Sequence, residues 1–133
     1  MALVTVASDA SMDTGTAQFA PQLSGDLYAG EALLVAAPCH IESDGKVYMS
    51  NATAANADAV TLGFTPRATA SGEPVTLFGI GTRFRYASGM TPGDTLYLGA
   101  TDGRLDDAAT TGDAEGIAIA VSATDIVIVR NNL

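Results

Sequence analysis

The chain contains one cysteine and one histidine, and they are neighbours, Cys39 and His40. A cysteine nucleophile needs an imidazole that faces its thiol. Adjacent residues of a strand point to opposite faces, so this pair is badly placed for that chemistry. A zinc site needs three or four ligands, and no second cysteine or histidine is present. We therefore expect a small buried cysteine beside a histidine on an edge strand, with no catalytic role.

Four aspartates in one loop-rich stretch are the other candidates for ion binding: Asp102, Asp106, Asp107 and Asp113. Carboxylates can gather around calcium, but this spacing does not match the twelve-residue calcium loop, and glycine is not where that loop needs it. Solvated acidic loops are the expectation, and a bound cation is the alternative. The sequence offers neither a paired acid and base nor a recognisable cluster of metal ligands. It therefore predicts that the protein is not an enzyme and has no cofactor or metal.

Charge and hydropathy limit the partners. Fifteen acidic residues against six scattered basic ones give a net charge of −9. A nucleic-acid binder needs clustered cations, so nucleic acid is excluded as a partner. No segment approaches the roughly 20 apolar residues that span a bilayer, and the N-terminus lacks the pattern of a signal peptide. We expect no membrane contact, no usual export route, and partners that are proteins.

The elements that must position these residues are short strands. Apolar runs bounded by turn residues predict an all-β fold, a compact small sandwich or barrel. Asp44-Gly45 predicts a hairpin with a type I′ turn, and Pro38 predicts an edge position or a bulge within the apolar run 33–41. Residues 51–60 predict a loop with one turn of helix at most.

A sequence pattern that occurs twice in the chain predicts duplicated hairpin units. Residues 30–35 and 43–48 resemble residues 93–98 and 101–105: each copy has glycine, an acid, an apolar run, then Asp-Gly and a basic residue. Residues 62–64 and 74–78 likewise resemble residues 115–119 and 125–129. We therefore predict one β domain over residues 23–133, with a pseudo-repeat at about 30–78 and 93–129.

Residues 1–22 differ in composition and predict an extended N-terminal arm, or a frayed terminus without a role. Leu3, Val4, Val6 and Phe19 are apolar anchors in an otherwise small and polar segment. Such a segment buries too little surface alone to become ordered, so we expect it to order against a neighbouring subunit or partner.

Three arginines complete the predicted contact residues: Arg83, Arg85 and Arg130. Their guanidinium groups can bind carboxylates on a neighbour. For Arg83 and Arg85, pairing across strands of the same sheet is the alternative.

The second half of the chain resembles small structural proteins of tailed bacteriophages. Residues 89–98 read Gly-Met-Thr-Pro-Gly-Asp-Thr-Leu-Tyr-Leu, an Asp-Gly turn follows at 102–103, and two final strands at 116–121 and 125–128. Residues 29–31 and 43–48 fit the same pattern, so the resemblance covers roughly residues 23–130. It implies a head decoration (capsid cement) protein or head-fibre β-domain, made in the host cytoplasm. Such a module binds the exterior of the mature head through the major capsid protein, commonly as a homotrimer.

An adhesin or receptor-binding domain of a phage head or tail fibre is the alternative. That function needs a groove with exposed aromatic side chains, and the chain offers four tyrosines for it: Tyr28, Tyr48, Tyr86 and Tyr97.

The isolated protein is expected to be a stable homo-oligomer, most simply a trimer. The chain has 24 alanines and no tryptophan, so its core is thin, and small domains with thin cores gain stability by association. Light scattering at tens of micromolar measures the molar mass directly. A monomer at that concentration would contradict a preassembled trimer.

Overall fold

The structure, a computed structural model, describes residues 2–10 and 22–132. These residues form ten short strands and one turn of 3₁₀ helix, which confirms the predicted all-β class. The strands are β1 (Gln22–Leu23), β2 (Pro38–Ile41), β3 (Val47–Met49), β4 (Gly63–Phe64), β5 (Leu77–Phe78), β6 (Arg83–Arg85), β7 (Thr95–Leu98), β8 (Leu105–Asp106), β9 (Ala118–Ala120) and β10 (Asp125–Ile128). The 3₁₀ turn, Ala57–Ala59, lies within the predicted loop 51–60.

The described strands build two antiparallel sheets with the same internal order. The first sheet runs β1-β5-β4-β2-β3 and the second runs β6-β10-β9-β7-β8. Adding five to each strand number of the first sheet gives the second. Each half of the chain therefore folds the same sequence of strands into the same arrangement.

One apolar core joins the two sheets into a sandwich. Phe64 and Phe78 enter it from the first sheet, and Phe84, Tyr86 and Ile126 enter from the second. The ring centroids of Phe64 and Phe84 lie 5.5 Å apart, at a tilted angle that aromatic pairs favour. The buried Tyr86 hydroxyl accepts a hydrogen bond from the Leu105 amide, 3.2 Å away, so its polar atom is satisfied.

The first sheet also has a buried outer face. Cys39, Val47 and Leu77 pack there under the segment that contains Ala29 and Leu33. Gly63 lies close to this layer, because a Cβ on it would stand 2.8 Å from the Leu77 Cβ and about as close to the backbone of Phe78. A residue larger than glycine would push β4 away from β5.

The Asp44-Gly45 hairpin is present, but its turn is not type I′. The Gly45 amide donates to the Glu42 carbonyl at 2.9 Å, and Gly45 has a φ of 80°. Asp44 is not among the described residues with positive φ, although a type I′ turn needs positive φ at both central positions. The loop is instead a tight turn closed by one left-handed glycine, the arrangement of a three-residue hairpin loop.

The edge position predicted for Pro38 was wrong, and the alternative of a bulge stays a prediction. β2 lies inside its sheet, between β4 and β3, so Pro38 is not on an edge strand. It is the first residue of β2, a position that tolerates a residue without an amide hydrogen. Ala36, with a φ of 52°, interrupts the apolar run just before it.

The two halves match most closely around their last strands and their Asp-Gly turns. β4 and β9 hold equivalent places, as do β5 and β10, and Gly45 and Gly103 both have positive φ. The first part of the predicted repeat, residues 30–35 against residues 93–98, does not correspond in the structure. The counterpart of β7 (Thr95–Leu98) is β2 (Pro38–Ile41). Residues 32–35 precede that strand and lie outside it.

Leu98→Ala is expected to lower the free energy of unfolding by about 3 kcal/mol, because Leu98 is fully buried in the shared core. Leu34→Ala is the matched control; Leu34 is 46% exposed, and its change should stay within about 0.5 kcal/mol. Denaturant unfolding followed by circular dichroism measures both. Since one core serves both sheets, unfolding should occur in a single transition, and two separate transitions would contradict the shared core.

Candidate functional site

Residues 2–10 lie against the second sheet of their own chain. Leu3 forms an antiparallel bridge with Asp106, and the Val4 amide donates to the Leu105 carbonyl at 2.9 Å. Val4 and Val6 are partly buried against the shared core, whereas Leu3 is 36% exposed. This part of the predicted arm therefore covers the free edge of β8, and Phe19 lies outside the described residues. Contact of these residues with another subunit stays a prediction.

Arg83 and Arg85 bind carboxylates within the chain. The Arg83 Nε lies 3.0 Å from Asp125 Oδ2, on the neighbouring strand β10. An Arg85 Nη lies 3.0 Å from Asp9 Oδ2, so this pair fixes the N-terminal segment to β6. The alternative of pairing across strands is therefore present for Arg83, and both side chains keep exposed surface.

Arg130 belongs to a buried network around Asp113. Asp113 is fully buried and accepts hydrogen bonds from the amides of Leu98 and Gly116, both at 2.8 Å. Arg130 Nη2 donates to Asp113 Oδ1 at 3.1 Å, and its Nε donates to the Gly116 carbonyl at 3.0 Å. These contacts give Arg130 a role in holding the C-terminal segment to the second sheet.

Asn132 extends this network to the first half of the chain. Its side-chain amide donates to the carbonyls of Ala59 and Gly112, at 2.8 and 2.9 Å, and its carbonyl accepts from Arg130. The C-terminal segment thereby connects the 3₁₀ turn to the loop that carries Asp113.

The four aspartates considered for an ion do not converge. Asp102 accepts from the Asn51 side chain, Asp106 from the Ala108 amide and Asp107 from the Ala2 amide. Asp113 is used by the network around Arg130. Each carboxylate therefore has its own partner in the described structure.

Cys39 is buried, as the sequence indicated. Burial, together with the nearby charge of Glu31, raises the pKa of the Cys39 thiol far above its ordinary value. Its Sγ donates to the Ala37 carbonyl at 3.3 Å. A neutral, enclosed thiol is not a nucleophile.

His40 is not on an edge strand, since β2 lies inside its sheet. Its ring contacts three polar side chains: Nδ1 lies 3.2 Å from Ser50 Oγ, and Nε2 lies 3.0 Å from Glu42 Oε2 and 3.4 Å from Asp58 Oδ1. Asn56 caps the 3₁₀ turn by accepting from the Asp58 amide, which fixes the backbone at Asp58. This cluster was not predicted from the sequence, because only cysteine and histidine were considered as partners of His40. The local signal was Glu42, which lies two residues along the strand from His40.

Eight large hydrophobic side chains are exposed among the described residues: Leu3, Leu23, Tyr28, Leu34, Leu62, Ile80, Val121 and Val129. Leu62, Ile80 and Val129 lie in segments that backbone hydrogen bonds hold side by side. The Thr61 amide donates to the Asn131 carbonyl at 2.9 Å, and the Gly81 amide donates to the Ile128 carbonyl at 2.8 Å. We call Leu62, Ile80 and Val129 the rim surface.

A cleft of about 430 Å³ lies on the first sheet, between residues 25–28 and the segments around Pro66 and Pro74. Tyr28 lines it and is 44% exposed, with Asp26 and Arg67 nearby. Tyr86, another of the predicted phenols, is fully buried and is not available to a ligand.

Comparison with known proteins adds no family. Neither a scan against protein-family models nor a search of curated proteins found a match to this chain. In the described part of the structure, no helix is long and apolar enough to cross a membrane.

Asp113→Ala is expected to lower the free energy of unfolding by about 3 kcal/mol. The change removes a buried charge partner of Arg130 and leaves two buried amides without an acceptor. Asp107→Ala is the control, since Asp107 is exposed, and should change stability by less than about 0.5 kcal/mol. Equal unfolding midpoints for the two variants in urea would show that the network does not hold the C-terminal segment.

Proposed function

We propose that this protein is a head decoration protein of a tailed bacteriophage, which binds the outside of the mature head and stabilises it without catalysis. The observation that carries the proposal is the rim surface. Leu62, Ile80 and Val129 are 37%, 46% and 42% exposed, and they come from three separate segments of the chain. Exposed apolar side chains on neighbouring segments of a small acidic domain are a candidate protein contact.

The rest of the surface suits a protein that is present in many copies. A net charge of −9 favours solubility at high copy number. The N-terminal segment covers the edge of β8, which removes one site for uncontrolled strand pairing. We assign specific contact with the partner protein to the side chains of the rim surface.

The proposed mechanism is adhesive. Each copy buries a modest area, and many copies on one shell add their contributions. A protein that binds the mature shell in preference to its ruptured state stabilises the intact shell by mass action. The major capsid protein is the proposed partner, and a homotrimer is the proposed bound form.

A second candidate function is that of an adhesin on a phage head or tail fibre. The observation in its favour is the cleft beside Tyr28, because an exposed aromatic ring next to Asp26 and Arg67 could stack on and hydrogen-bond a sugar. A glycan array with the purified chain distinguishes the two functions.

Heads that lack this protein are expected to assemble and package DNA but to rupture at lower temperature or on osmotic shock. Adding the purified chain should restore their stability. Serine substitutions at Leu62, Ile80 and Val129 together should abolish this rescue, because they remove the apolar contact. Serine substitutions at Leu23, Leu34 and Val121 are the matched control; these residues are 40%, 46% and 37% exposed and should rescue like wild type.

Release of DNA on heating, followed by dye fluorescence, measures the effect. Stripped heads that are as robust as complete ones, together with loss of adsorption to host cells, would reject the decoration function and support the adhesin. Equal rescue by the two triple variants would reject the rim surface as the point of contact.

A further inference from the structure

We infer that His40, Glu42 and Asp58 form a binding site for one divalent transition-metal ion of the zinc type. Their ligand atoms, one from each side chain, all lie within 4.8 Å of one another. This inference is independent of the proposed function, because it rests on one side-chain cluster beside the 3₁₀ turn.

The hydrogen bonds around Ser50 determine which ring nitrogen faces the carboxylates. The Ser50 hydroxyl donates its single proton to the Val60 carbonyl, 2.7 Å away. Toward His40 it can then only accept, so the hydrogen of the neutral ring resides on Nδ1, 3.2 Å away. Nε2 therefore presents its lone pair toward Glu42 and Asp58.

A lone pair that faces two carboxylates is stabilised by a cation between the three atoms, because all three are rich in electrons. Nε2 lies 3.0 Å from Glu42 Oε2 and 3.4 Å from Asp58 Oδ1, and all three atoms are donors of electron pairs. In the described part of the chain, neither carboxylate forms an ion pair with lysine or arginine. A metal ion at this position would satisfy all three atoms together.

The separations fit the edges of a metal coordination sphere. For ligands about 2.1 Å from the ion, neighbouring ligand atoms lie about 3.4 Å apart in a tetrahedron and about 3.0 Å apart in an octahedron. The two Nε2–oxygen distances correspond to these values. The two carboxylate oxygens lie within 4.8 Å of each other, and both side chains are partly exposed and can adjust to an ion.

The donor set determines the kind of ion. An imidazole nitrogen favours zinc and neighbouring transition metals over magnesium and calcium, while the two carboxylates supply the neutralising charge. The Glu42 and Asp58 side chains are 44% and 50% exposed, so water completes the coordination from outside. Ser50, by holding Nδ1–H, orients the ring as outer hydrogen-bond partners of metal-bound histidines do.

The ion would fasten a loop to the first sheet. His40 belongs to β2 and Glu42 follows it directly, whereas Asp58 belongs to the 3₁₀ turn in the segment 51–60. Zinc binding is therefore expected to raise the melting temperature, since it stabilises the folded state.

Calorimetric titration of the purified chain with zinc chloride tests the site. Wild type should bind one zinc ion per chain, and magnesium chloride should give no binding. Glu42→Gln and Asp58→Asn should each weaken zinc binding at least tenfold, and both residues are exposed enough for the variants to fold. Ser50→Ala should weaken it by roughly 10- to 100-fold through the orientation of His40.

Glu73→Gln is the matched control, because it removes one exposed carboxylate outside the cluster and should leave zinc binding unchanged. Absence of zinc binding to wild type would overturn the inference. Zinc binding that Glu42→Gln and Asp58→Asn leave unaltered would also overturn it, since the ion would then bind elsewhere on the acidic surface.

Discussion

The rest of the structure depends on the packing of two short-stranded sheets around one aromatic centre. The described strands are only two to four residues long, and such strands are not stable as isolated pairs. Contact between Phe64 and Phe84 brings the inner faces together, and Leu98, Leu105 and Ile126 fill the remaining space. Because both halves of the chain contribute to this core, the duplicated arrangement becomes one cooperative unit.

The two ends of the chain then close the sandwich and determine what remains exposed. The N-terminal segment covers β8 through Leu3 and Val4, and the C-terminal segment is held by Asp113 and by Asn132. The polar groups named here form hydrogen bonds or ion pairs within the chain. The rim surface is left as an apolar area that the fold itself does not bury, and the proposed contact with a shell is assigned to it.

Features encoded by neighbouring residues were predictable, and features that need distant residues were not. Apolar runs bounded by turn residues indicated short strands correctly, and the turn residues Asp44-Gly45 indicated a hairpin correctly. The interior position of Pro38 depends on pairing with β4, which no local pattern reveals. The cluster at His40 was missed for the same physical reason, because Asp58 reaches it only through the folding of a loop that has no periodicity. The membership of a phage family stays a prediction.

The most direct test of the central claim is the position of this protein on the virus particle. Purified virions of a tailed phage whose genome contains this sequence would be labelled with an antibody to the chain and imaged by negative-stain electron microscopy. The account predicts label spread over the whole head surface, in many copies, with none on the tail. Label confined to tail fibres, or to a single vertex, would contradict a decoration protein.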